Sequence, residues 1–157
     1  MTFPVRLLAA LLLALALAAP APVLAMAGAP EPAKSESDYD KAVKAVKAEK
    51  YKDAIELLKK AVEKEPKKAD ALNYLGYSQR KTGQTGYALK SYTAALDLDP
   101  KHKGAHEYLG ELYLMTDNLP KAEETLKKLQ ALCSGCDERK ELEKAVAAYK
   151  KAKGIGS

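Results

Sequence analysis

The chain has two cysteines and no tryptophan in 157 residues, and neither cysteine lies near the apolar N-terminal segment. A lipid attached to a cysteine there is therefore excluded. No apolar run reaches the length of a membrane span: Leu7 to Ala19 is 13 residues and is followed by Pro20, whereas a spanning helix needs about 20. Alternating strand patterns are missing as well. So are a glycine-rich phosphate loop, a Ser/His/Asp grouping and a paired-carboxylate context, which leaves no basis for an enzyme. The formal charge of +5 is small beside 26 basic residues. Lysines alternate with glutamates, as in Lys59, Lys60, Glu63, Lys64 and Glu65, which is the pattern of a solvated helix face and not of a nucleic-acid surface.

The N-terminus reads as a secretory signal peptide over residues 1–25. Arg6 supplies the basic start, Leu7 to Ala19 the apolar stretch, and Val23-Leu24-Ala25 the small residues before a cleavage point. Ala25-Met26-Ala27 offers a second frame. Export across a bacterial inner membrane, a periplasmic location and no stable membrane insertion after cleavage are expected. Residues 26–34, with Pro30 and Pro32, form an extended tether, because proline disfavours helix at the residue before it. Ordered structure is expected from Ser35.

From there a period of 34 residues dominates. Ala54, Ala88 and Ala122 are 34 apart, as are Pro66 and Pro100, and Gly76 and Gly110. A fixed period of this length predicts an all-α solenoid. Three helix pairs are expected, over 35–68, 69–102 and 103–136, followed by a capping helix over 137–153. In the middle unit the first helix should bury Leu72, Leu75, Gly76 and Gln79, and the second Ala88, Leu89, Tyr92, Ala95 and Leu96. The third repeats this with Leu109, Gly110, Tyr113, Ala122, Leu126 and Leu129. Gly76 and Gly110 should let the two helices of a pair approach closely. In the last helix, Leu142, Ala145, Val146 and Tyr149 form an apolar stripe that would cover the third unit, or dock onto a partner.

The pattern Leu72-x-x-Leu75-Gly76, Ala88-x-x-x-Tyr92-x-x-Ala95, Pro100 resembles the tetratricopeptide repeat. Unit two matches closely. Unit one has Asp38 and Lys41 where the family prefers bulky apolar residues, and unit three has Ser134 in place of the proline. The resemblance implies a right-handed solenoid and a binding groove on the concave surface of the first helices. Its lining would be Tyr39, Val43 and Val46, then Asn73, Tyr77 and Arg80, then Glu107, Glu111 and Leu114. The ligand implied is a protein or peptide, with Tyr39 and Tyr77 as anchors and Arg80 and Glu111 as polar discriminators. Capture of a peptide's terminal carboxylate is disfavoured, since two glutamates would repel it.

Cys133-Ser134-Gly135-Cys136 is the one chemical constellation. Its expected state is a structural disulfide pinning the start of the last helix, in keeping with an exported chain. Thiol-disulfide exchange and zinc binding are the other chemistries such a pair supports, and His102 and His106 are the available imidazoles. No cofactor or metal is expected. A non-enzymatic binding module is the leading reading, ahead of a thiol or metal handler and of an architectural envelope subunit held through the apolar side of unit one. Oligomeric state is not encoded in any recognisable pattern.

Overall fold

The computed structural model describes residues 36–156, so the expected signal peptide and tether lie outside the described residues. Seven helices follow one another: α1 (Asp38–Lys47), α2 (Tyr51–Lys64), α3 (Ala69–Lys81), α4 (Thr85–Leu98), α5 (Lys103–Met115), α6 (Leu119–Leu132) and α7 (Asp137–Ala152). None of them is long and apolar enough to cross a membrane.

Three of the helices, α1, α5 and α6, start at side chains that satisfy free backbone N–H groups. The Ser37 hydroxyl accepts from Asp40 N–H, the His102 ring from Ala105 N–H and the Asn118 carbonyl from Lys121 N–H. The turns inside the three pairs share one construction. Glu49, Gly83 and Asp117, each 34 residues from the next, have φ of 57°, 79° and 56°. The following N–H groups reach back to the helix end: Lys50 to the Ala45 carbonyl, Gln84 to Gln79, and Asn118 to Tyr113. This left-handed stop favours glycine, yet only the middle unit supplies one.

The first helices touch in series, α1 to α3, α3 to α5 and α5 to α7, while α2, α4 and α6 make no contact with each other. The stack therefore curves with α1, α3, α5 and α7 on the inside. Core residues form three patches between the layers: Ala54, Ile55 and Leu58 with Leu75; Tyr92 with Leu109 and Leu112; and Ala122, Leu129, Leu142 and Val146.

The two small residues on the inner helices do different jobs. A Cβ on Gly76 would lie 2.7 Å from the ring of Tyr92, its own pair partner. At Gly110 the atoms met would be Leu142 Cδ1 and Cδ2, at 2.6 Å. The expected close approach within the pair thus holds for Gly76, whereas Gly110 makes room for α7. A second correction concerns α4. Leu89 is 38% exposed, and the buried position is Ser91, whose hydroxyl donates to the Gln79 side-chain oxygen at 2.7 Å. Leu72 is only half-buried. In unit one the two polar positions behave differently: half-buried Asp38 pairs with Lys64, and Lys41 is exposed.

Candidate binding groove

The inner face begins at α1. Tyr39 stands edge-on to Tyr74 with ring centroids 6.1 Å apart, and Lys68 Nζ lies 4.2 Å from its ring centre. Burial pushes its phenol up to about 12. Tyr39 and Val46 pack on the first core patch, whereas half-buried Val43 is not part of it.

On α3, Tyr77 is the centre of an aromatic ladder. Its ring lies 5.9 Å from Tyr51 and 4.9 Å from Tyr108. The Arg80 guanidinium sits 5.4 Å from the Tyr77 ring centre and 5.7 Å from that of Tyr108, both within cation–π range. Arg80 also pairs with Glu111 of α5 at 2.6 Å. These two side chains were expected to present separate polar features to a ligand. They are instead engaged with each other.

Two further expected lining residues are covered. Asn73 is 5% exposed, and its Oδ1 has no hydrogen-bond partner among the described residues; its amide nitrogen would sit 3.2 Å from a Cβ on Gly104. Leu114 is 9% exposed and belongs to the third core patch with Leu142 and Val146. It lines no groove, because α7 lies over that end of α5.

Two family models, each described as tetratricopeptide repeat, match residues 39–86 and 79–132. The chain belongs to the tetratricopeptide repeat family. Among solved structures it is similar to the Yersinia enterocolitica type III secretion chaperone SycD in complex with a peptide of the translocator YopD. That match has a TM-score of 0.65 and 24% identity, covering 75% of this chain and 90% of the other. The second TPR domain of human RPAP3, in complex with an HSP70 peptide, has a TM-score of 0.63 and 23% identity, covering 69% and 92%. The Arabidopsis OM64 TPR domain has 0.66 and 16%, covering 71% and 93%. At these identities the likeness establishes the fold. No curated protein matches the sequence.

Within this tetratricopeptide stack the acidic end is the most unusual part. Burial, followed by the Glu111, Glu138 and Glu141 carboxylates, pushes the Glu107 carboxyl up to about 7. The folded protein therefore holds this proton more tightly than the unfolded chain, whose carboxyl titrates near 4.5. Glu107 favours folding most below that value, and the contribution is lost as pH rises to about 7. Glu107→Gln should consequently be more stable than the native chain at pH 8 by about 1 kcal/mol, allowing for solvent screening of a half-exposed group. Near pH 4 the two should match. Urea midpoints at both pH values test this, and a gap of equal size at each would count against it.

Cys133 and Cys136 form a disulfide-bonded pair with Cα atoms 5.8 Å apart, at the C-cap of α6 and the N-cap of α7. Both border the third core patch. His102 faces Asp70 at 3.1 Å, and His106 bonds to the Pro100 carbonyl at 2.9 Å. Among the described residues no three His, Cys, Asp or Glu side chains gather where they could hold a metal.

Tyr51, Tyr108, Glu138 and Glu141 were not anticipated. Tyr108 carried a usable signal, since it repeats Tyr74 at 34 residues. Tyr51 opens a second helix, and the two glutamates belong to the cap. Treating α7 as a fourth first-helix would have brought Glu138 and Glu141 into the groove.

Proposed function

We propose that this chain is a non-enzymatic, exported module that holds an extended protein or peptide segment along its inner face. The observation carrying this reading is the Tyr77 and Tyr108 pair on the inner helices α3 and α5, extended by Tyr51 at the start of α2, with rings prepositioned against one another. Aromatic side chains bury a large area for little lost freedom and recur as interface anchors. Because the helices already fix their positions, binding avoids part of the ordering cost. The SycD and RPAP3 domains similar to this chain are both described with bound peptides. Export rests on the N-terminal 25 residues, and a periplasmic location accords with the paired cysteines.

Val43 offers a direct test, because it lies on the inner helix α1 outside the core patches. Peptides selected by the purified chain from a displayed random library should bind Val43→Glu at least about tenfold more weakly. Tyr87→Glu, altering a residue 63% exposed on the outer helix α4, should bind them unchanged. Equal loss in both variants, or in neither, would remove the inner face from consideration.

A further inference from the structure

Resting on that groove reading, we propose that the bound segment carries a lysine or arginine that seats against Glu107, at the α5–α7 end of the inner face. Charge at this end is out of balance. Glu107 lies within electrostatic range of Glu111 on its own helix and of Glu138 and Glu141 from α7. Against these carboxylates stand Arg80, paired with Glu111 at 2.6 Å, and highly exposed Lys144, 3.7 Å from Glu141. Neither Glu107 nor Glu138 has an ion-pair partner among the described residues.

Elsewhere several acids pair with lysines one helical turn away, as in Glu56 with Lys59, Glu124 with Lys128 and Asp137 with Lys140, and acids without a cation, such as Asp53, Glu63 and Asp97, are exposed to water. With more basic than acidic residues overall, a half-buried carboxylate lacking a cation is a local exception. It stands where the fold curves inward. An incoming ammonium or guanidinium would relieve the repulsion that Glu111, Glu138 and Glu141 impose on it.

The floor of the site already holds one cation in place. Tyr92 is fully buried, and its hydroxyl has no hydrogen-bond partner among the described residues. That hydroxyl lies within the electrostatic reach of Arg80, Glu111 and Tyr108, and the Tyr92 and Tyr108 ring centroids are 6.3 Å apart. The Arg80 guanidinium lies beside this buried hydroxyl, so Arg80 is committed to Tyr92 and Glu111 and leaves Glu107 without a cation of its own. Carboxylates and tyrosine ring faces together form the chemistry that holds a basic side chain, and Arg80 already uses those ring faces in this way. An acidic or carboxylate-terminated segment would meet the opposite of what it needs.

The test uses the purified chain and a phage-displayed library of random peptides about twelve residues long, a length sufficient to cross several repeats. Selected peptides are expected to be enriched in lysine or arginine over aspartate or glutamate. A representative peptide should bind Glu107→Gln about tenfold more weakly, and its lysine-to-glutamine version should bind the native chain as weakly while ignoring the Glu107 change. Peptides that depend on Val43 but carry no basic residue, or are indifferent to Glu107→Gln, would overturn this inference and leave the groove reading intact. Selection of no peptide, or of peptides indifferent to Val43→Glu, would overturn both. Since Glu107→Gln relieves repulsion, loss of binding in that variant cannot be assigned to unfolding once its urea midpoint matches or exceeds the native one.

Discussion

Tyr92→Ala should cost about 3–5 kcal/mol, the range for truncating a large buried aromatic, and so remove much of the stability of a domain whose total is about 5–15 kcal/mol. The ring has no solvent exposure, packs against the position where Gly76 lacks a Cβ and sits near Tyr108 of the next pair. It thus joins α4 to both α3 and α5, and nothing adjacent can collapse into the space without moving a helix. Tyr92→Phe isolates the ring from the hydroxyl. Because that hydroxyl has no partner among the described residues, its loss should be neutral or slightly stabilising. Tyr87→Ala, on the same helix but 63% exposed, should stay within about 0.5 kcal/mol of the native chain. Urea unfolding of the three variants separates these cases. A cost below about 1 kcal/mol for Tyr92→Ala would contradict the packing described.

Leu142→Ala carries the second large effect, about 3–5 kcal/mol. Leu142 is fully buried, and both of its methyl groups occupy the notch left by Gly110 on α5. In a linear stack each unit is stabilised mainly by its neighbours, and the outermost element keeps the last unit from fraying. Loosening α7 should therefore raise hydrogen exchange most in α5 and α6, with α1 and α2 affected least. Equal acceleration through all seven helices would show a single cooperative unit in place of a cap acting locally.

Much of the architecture was legible because it depends on residue identity at fixed intervals. The alanines and glycines at 34-residue spacing mark where helices approach closely, and those positions are buried among the described residues. The recurring left-handed turn was missed, since Glu49 and Asp117 adopt it without the glycine that marks it at Gly83. In the groove, the resemblance placed Tyr77 and Arg80 on the inner helix but could not foresee that Arg80 would be paired with Glu111. It likewise put Leu114 in the lining, where α7 covers it. Both misses have one cause. A position's register says which way a side chain leaves its own helix, and the neighbouring helix decides whether anything is left exposed.

The sequence by itself determined the period, the helical class, the family resemblance and the identity of the aromatic residues, all of which follow from local pattern. Tertiary structure decided which of those residues meet. Packing α3 against α5 stacks Tyr77 on Tyr108 and spends Arg80 on Glu111, while packing α7 on α5 buries Leu114 and brings Glu138 and Glu141 to Glu107. The charge imbalance at that end is a property of juxtaposition. Glutamates 30 or so residues apart repel appreciably only when the fold brings them into electrostatic range in a partly desolvated site.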